Sequence, residues 1–126
     1  MIRFGFSKAL RLLTPADYKQ VFDDAKLRVS SKEVLILARL NQLDHPRLGL
    51  VVAKKHVRRA TQRNRIKRVV RESFRHQQAT LTGAAGIDAI LLARGGLDKL
   101  DNRALNDLLD QLWRQLQRKA LKQTKP

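Results

Sequence analysis

Apolar residues recur along the chain first with the spacing of a helix. Thr14 can cap a helix whose first residue is Pro15, and Asp17 follows three residues after the cap. An apolar stripe at i, i+3, i+4 and i+7 of this helix consists of Tyr18, Val21, Phe22 and Ala25. Core packing is the ordinary explanation of such a stripe, and contact of its aromatic rings with a partner is the alternative.

Short apolar runs bounded by turn residues predict four strands. Residues 34–38 and 48–53 are separated by turn residues at 41–46, so we expect these two runs to pair as an antiparallel hairpin. Residues 28–31 and 87–93 predict a preceding and a later strand. The runs are too continuously apolar for strands wetted on one face, so we expect them to be central and covered.

Two longer amphipathic segments predict a second and a third helix. Residues 57–78 gather Ile66, Val70 and Phe74 on one side, and residues 80–86 are expected to form a loop. Asp101 is expected to cap the last helix, and the basic tail from Arg118 is expected to fray. The order α-β-β-β-α-β-α indicates a single α+β domain over residues 1–126, with flexible ends at 1–7 and 119–126.

Charge changes this picture from a generic domain to a binding protein. The chain has 126 residues, 27 Lys or Arg, 11 Asp or Glu and a formal net charge of +16. Residues 54–75 hold ten of the basic residues and one acid, Glu72. Like charges four residues apart on a helix repel, so this segment favours a polyanionic partner over a merely solvated face. Its basic residues are Lys54, Lys55, Arg58, Arg59, Arg63, Arg65, Lys67, Arg68, Arg71 and Arg75.

The basic residues of the second helix lie opposite its apolar stripe, together with Asn64. Arginine binds phosphate bidentately and stacks on bases, while Asn64 either reads a base edge or is an ordinary surface residue. RNA is favoured over DNA because this helix is predicted among strands rather than in a helical bundle. Tyr18 and Phe22 then become candidate platforms for base stacking.

The chain lacks the residues that most catalytic and metal sites need. It contains no cysteine, which excludes disulfides, thiolate nucleophiles and Cys-ligated metals. Its acids are scattered, and the only adjacent pair, Asp23 and Asp24, is typical of a solvated turn. The histidines at 45, 56 and 76 share no metal-ligand spacing. We therefore expect no catalytic residue and no metal bound by the protein, with any reaction performed by its partner.

The N-terminal segment mixes basic and apolar residues without the continuous apolar core of a signal peptide. No run of eighteen apolar residues occurs anywhere in the sequence. These features predict a cytoplasmic protein with no membrane contact.

Residues 63–72, RNRIKRVVRE, strongly resemble the signature of the bacterial ribonuclease P protein subunit. Residues 48–55, LGLVVAKK, look like the strand of that family that leads into the basic helix. Lys8, Arg11 with Leu12, the Tyr18 stripe, and residues 100–103 match as well, so the resemblance covers about residues 6–116. Tyr18 stands where the family more often has phenylalanine.

The resemblance implies a fold and a division of labour. The fold is an α/β sandwich with a mixed, mainly antiparallel four-stranded sheet, like ribosomal protein S5 domain 2, with a left-handed β-α-β crossover. The RNA subunit would hold the active site and its Mg²⁺ ions, and no further protein partner would be required. The enzyme is an endoribonuclease that removes the 5′ leader of precursor tRNA, and the protein would assist this step and broaden the range of substrates.

The resemblance also implies residue roles. Arg63, Asn64, Arg65, Lys67, Arg68 and Arg71 fall on the RNA-contacting motif of the family. Tyr18 and Phe22 fall on the aromatic positions that line the path of the leader. Two other functions stay open on composition alone: a ribosomal or assembly protein that packs on structured RNA, and a self-sufficient metal-dependent endonuclease.

Overall fold

The computed structural model describes residues 10–43, 45–82 and 86–124. In chain order its elements are α1 (Pro15–Asp23), β1 (Leu27–Ser30), β2 (Val34–Leu40), β3 (Arg47–Val51), α2 (Ala60–Thr82), β4 (Ile87–Ala93) and α3 (Asn102–Thr124). A short 3₁₀ turn, Leu97–Lys99, precedes α3. This is the predicted order of elements, and the α+β class is confirmed.

Helix α1 begins with the capping arrangement that the sequence predicts. The Asp17 amide donates to the Thr14 hydroxyl over 3.1 Å, and the Thr14 amide donates to the Asp17 carboxylate over 3.2 Å. These two bonds satisfy backbone donors that the first turn of a helix leaves unpaired. The helix ends at Asp23, so Ala25 does not belong to its stripe.

The four strands form one mixed sheet in the order β1-β2-β4-β3. The β1–β2 and β2–β4 pairs are antiparallel, and the β3–β4 pair is parallel. The predicted hairpin between β2 and β3 is therefore wrong, because β4 lies between them. Strand β4 is the most deeply buried strand and takes a central place, whereas β3 is an edge strand rather than a central one.

Strands β3 and β4 are joined through α2 and so form the β-α-β unit that the family resemblance implies. The left-handed crossover stays a prediction. On its outer side β3 pairs with the N-terminal segment, where the Leu12 amide donates to the Leu48 carbonyl over 3.1 Å. This pairing brings Arg11 alongside the edge of the sheet.

Helices α2 and α3 cover one face of the sheet and α1 covers the other. The larger core cluster joins Ile66, Val70 and Phe74 of α2 to the apolar stripe of α3 and to alternate strand residues. Trp113 of α3 is buried in this cluster and donates its indole N–H to Ser73 over 2.8 Å. The smaller cluster is Leu12, Val21 and Ile90, with Tyr18 packed against it.

A buried ion pair fixes α1 against the sheet. Asp88 on β4 is fully buried, and Arg47 on β3 donates Nε and Nη2 to its two oxygens over 2.8 and 2.6 Å. The side-chain amide of Asn41 donates to the same carboxylate over 2.8 Å. Arg47 also lies 3.9 Å from Asp17, so one guanidinium links β3, β4 and the start of α1.

Both long helices differ in length from the prediction. Helix α2 runs from residue 60 to 82, so residues 80–82 are helical rather than part of a loop. Helix α3 continues to Thr124, past Arg118, where fraying was expected to begin. The Ala104 amide donates to the Asp101 carboxylate over 2.8 Å, which confirms the predicted cap. The predicted flexible residues 1–7, and residues 125–126, lie outside the described part of the chain.

None of the helices within the described ranges combines the length and the hydropathy that a membrane span requires.

Candidate nucleic-acid interface

Helix α2 presents a polar face opposite the residues that it buries against the sheet. Ile66, Val70 and Phe74 are fully buried, as predicted. The opposite face lines an open cleft of about 470 Å³. Because helix residues spaced by three and four share a face, the i, i+3, i+4, i+7 positions converge there. The lining residues are Asn64, Lys67, Arg68, Arg71 and Glu72.

The two arginines that flank Asn64 point away from this cleft and bind other parts of the chain. Arg63 donates Nη1 to the backbone carbonyls of Val57 and Arg58 over 3.1 and 2.9 Å. Arg65 donates Nη1 to the Asn102 side chain over 2.8 Å and Nη2 to the Leu100 carbonyl over 2.9 Å. Arg63 thus braces the turn before α2, and Arg65 joins α2 to the start of α3.

The single acid of this face is neutralised within α2. Arg75 donates Nε and Nη2 to the Glu72 carboxylate, one turn away. Bonding to Arg75 lowers the pKa of Glu72 despite a smaller opposing effect of desolvation, and His76 contributes as well. Glu72 therefore adds little repulsion toward an anion in the cleft, and Arg75 is occupied by its partner in the free protein.

The ring of Tyr18 lies directly on strand β3. A Cβ atom built on Gly49 would stand 2.7 Å from two ring atoms of Tyr18, closer than real Cβ contacts. The Leu50 amide donates to the Tyr18 hydroxyl over 3.3 Å. Because Gly49 has no side chain, the ring can approach the strand closely. The Tyr18 hydroxyl binds the Leu50 amide on the same side of β3 on which the Leu48 carbonyl accepts from Leu12.

A second, smaller cavity joins Tyr18 to the basic face of α2. It measures about 100 Å³ and lies at the outer edge of β3. Its lining residues come from the N-terminal segment, α1, β3 and α2: Arg11, Leu12, Tyr18, Leu48, Leu50, Lys67 and Arg71. Lys67 and Arg71 line both cavities, so the two form one continuous cationic site.

Arg71 is partly buried and lies near the like charge of Arg11. Partial burial and the nearby charge of Arg11 lower the pKa of the Arg71 guanidinium, while Tyr18 raises it by less. Burial and a like charge each disfavour the charged form of a base. An anion between Arg11 and Arg71 would relieve both effects.

The remaining predicted residues line neither of these two cavities. Phe22 lies one turn beyond Tyr18 on α1 and is 46% exposed. Lys54 and Lys55 are exposed in the turn after β3, and Arg58 and Arg59 are exposed just before α2 begins. They place positive charge at the end of α2 that already attracts anions.

Arg11 is the residue that site prediction missed. It lines the Tyr18 cavity, whereas in the sequence it counts only as one match to the family and is given no role in the site. Its place beside Arg71 depends on the pairing of residues 11 and 12 with β3, which no local pattern indicates.

The site offers cations, amide groups and an aromatic ring. Within the ranges that the structure describes, no three His, Asp or Glu residues are grouped so that they could hold a metal ion. The cationic side chains suit the binding of phosphates, and the aromatic ring suits the stacking of bases.

Comparison with known proteins decides the family. The family model for ribonuclease P matches residues 6–117. The chain belongs to the ribonuclease P protein family. It is 51% identical to the ribonuclease P protein component of Haemophilus influenzae, over 97% of this chain and 99% of that protein. It is 52% identical to the component of Pasteurella multocida, over 97% and 99% of the two chains. The resemblance found in the sequence is thereby confirmed.

The fold agrees with this assignment. The ribonuclease P protein of Thermotoga maritima superimposes with a TM-score of 0.71 at 33% identity, over 82% of this chain and 98% of that one. The chain is thus a protein component of ribonuclease P, the tRNA-processing endonuclease, and associates with ribonuclease P RNA and precursor tRNA.

Proposed function

We propose that the cationic site holds RNA on two sides of helix α2. The cleft of Asn64, Lys67, Arg68 and Arg71 binds phosphates of ribonuclease P RNA, and the Tyr18 cavity receives the 5′ leader of precursor tRNA. The observation that carries this proposal is the convergence of Arg11, Tyr18, Lys67 and Arg71 at the outer edge of β3.

The two cavities differ in what they can bind. The larger cleft is open and lined by cations and an amide, which suits the backbone of folded RNA. The smaller one adds an aromatic ring, and single-stranded RNA is held by stacking on such rings within a positive groove. The 5′ leader is a single-stranded part of the precursor, so its chemistry suits the second cavity.

Contact with the leader gives the protein a way to favour precursor over mature tRNA. Only the precursor carries a leader, and a difference in affinity is all that discrimination requires. The same contacts would let tRNA bodies that bind the catalytic RNA weakly still be processed, which broadens the range of substrates. Bond cleavage and the Mg²⁺ ions that it needs belong to the RNA in this proposal, and the protein supplies no catalytic group.

Substitution of Arg68 and Arg71 tests the RNA interface. Arg68→Ala and Arg71→Ala should each weaken binding of ribonuclease P RNA and lower the slope of log affinity against log salt by about 0.7–0.9. Both residues lie on the polar face of α2, so circular dichroism should show a folded protein. Lys32→Ala, in the exposed turn between β1 and β2, is the matched control and should keep the slope.

Two results would contradict the proposal. Unchanged salt slopes in both α2 variants would place the RNA elsewhere on the protein. Cleavage of precursor tRNA in Mg²⁺ by purified protein that is free of RNA would show that the polypeptide itself carries an active site.

A further inference from the structure

The second half of helix α3 carries a row of positive charges that the site above does not use. Residues 111–124 contain Arg114, Arg118, Lys119 and Lys122 and no acid. Arg114, Arg118 and Lys122 are spaced by four residues and are all exposed. We call these three residues the α3 ladder. Side chains spaced by four lie one above the other on a helix, so the ladder forms a straight cationic row.

The ladder has no partner among the described residues. Its members make no ion pair or side-chain hydrogen bond within the residues 10–43, 45–82 and 86–124. Asp110 stands one turn before Arg114, at the spacing of a stabilising pair, yet forms none. Like charges at this spacing cost a few tenths of a kcal/mol per pair.

The helix dipole explains only one of the three charges. Cations are favoured near the C-terminus of a helix, but the effect fades within the last turn. Lys122 lies in that turn, whereas Arg118 lies about one turn earlier and Arg114 about two turns earlier. An external anion accounts for all three.

The protein holds the ladder in place against the sheet. Lys119 donates to the Arg28 carbonyl, and Gln123 donates to the Lys26 carbonyl over 3.4 Å. Leu116, three residues before Lys119, is fully buried. The last turns of α3 are thereby tied to β1, the edge strand farthest from β3 in the sheet. The ladder therefore lies on the side of the molecule away from the Tyr18 cavity.

We propose that the α3 ladder binds the phosphate backbone of a second segment of ribonuclease P RNA. Four residues of helix rise about 6 Å, a spacing that lets neighbouring side chains meet successive phosphates of one strand. Two of the three are arginines, whose guanidinium groups bind phosphate bidentately. The protein would then bridge two RNA segments, one at each edge of its sheet, which goes beyond the proposed function of α2.

A triple variant with a matched control tests this proposal. The ladder variant is Arg114→Gln, Arg118→Gln and Lys122→Gln, because glutamine keeps helix propensity. The control, Lys19→Gln, Lys32→Gln and Arg103→Gln, removes the same charge from exposed positions elsewhere. Affinity for ribonuclease P RNA alone and for precursor tRNA alone is measured across a range of salt concentrations, with circular dichroism to verify folding.

For ribonuclease P RNA, the ladder variant should lower the salt slope by about 2–3 relative to the control, which corresponds to three lost phosphate contacts. Precursor tRNA should show no such difference. Hydroxyl-radical footprints should lose protected nucleotides other than those lost with Arg68→Ala and Arg71→Ala.

Equal slopes for the ladder and control variants would overturn the inference, as would a loss confined to precursor tRNA or footprints that coincide with those of the α2 variants. The α2 variants are measured in the same series, so a failure of the ladder can be told from a failure of the proposed function.

Discussion

Gly49 controls the position of Tyr18, and through it the shape of the smaller cavity. The ring lies so close to the strand that any side chain at residue 49 would meet it. Its hydroxyl accepts from the Leu50 amide, and this hydrogen bond holds the ring against the strand.

Gly49→Ala should displace the Tyr18 ring and reduce the preference of the reconstituted enzyme for precursor over mature tRNA. A lost stacking contact is worth about 1–3 kcal/mol. Tyr18→Phe is the matched control: it should keep the preference while lowering the free energy of unfolding by about 0.5–1.5 kcal/mol. The measurements are the affinities of the reconstituted enzyme for precursor tRNA and for mature tRNA, and urea unfolding of each protein variant. A Gly49→Ala protein with full precursor preference would show that Tyr18 is not the platform for the leader.

At the scale of elements, α1 depends on the charge of Asp17 as well as on its own sequence. Desolvation alone would raise the pKa of Asp17, but hydrogen bonds from the Leu13 and Thr14 amides, with the charge of Arg47, together lower it below its ordinary value of 3.8. The same carboxylate thus caps the helix and faces the guanidinium that is bound to Asp88.

Asp17→Asn should lower the free energy of unfolding at neutral pH by about 0.5–1 kcal/mol, the worth of an acid at a helix N-terminus. Because the folded pKa is the lower one, the stabilisation is fully present above about pH 4 and is lost as the pH falls through that lowered value. Urea unfolding at several pH values should therefore show the two proteins converging below about pH 4.

Asp23→Asn provides the control for this pH dependence. Asp23 stands at the other end of α1 and pairs only with exposed Lys19 among the described residues. Its replacement should change stability much less. The charge of Asp17 does not support the fold if the difference in the free energy of unfolding between Asp17→Asn and the unchanged protein stays constant down to pH 3.

At the scale of the whole molecule, the main property is a concentrated positive charge. The net charge of +16 is spread over only 126 residues, and the α2 face and the α3 ladder lie toward different edges of the sheet. Such a molecule lowers the repulsion between two RNAs that must come together, a role that counterions perform in its absence.

Cleavage of precursor tRNA by ribonuclease P RNA alone should therefore need more Mg²⁺ than cleavage by the reconstituted enzyme. The concentration of Mg²⁺ at half-maximal rate is the measurement. The double variant Arg68→Ala with Arg71→Ala should fall between the two, because it removes only part of the charge. Equal Mg²⁺ requirements for the RNA with and without protein would refute this electrostatic role.

The sequence alone determined the features that depend on near neighbours. Helical periodicity placed the buried and polar faces of α2, and capping residues located the starts of α1 and α3, because these signals act within a few residues of each other. The family, the order of elements and the basic face were likewise visible in the residues themselves.

Tertiary structure decided the contacts between residues far apart in the chain. It inserted β4 between β2 and β3, since the most apolar strand gains most from a central place. It also turned Arg63 and Arg65 toward backbone carbonyls while leaving Asn64 at the cleft, and it brought Arg11 to Arg71. Neighbouring arginines look alike in the sequence, and their roles differ because folding brings hydrogen-bond acceptors within reach of some of them and not of others.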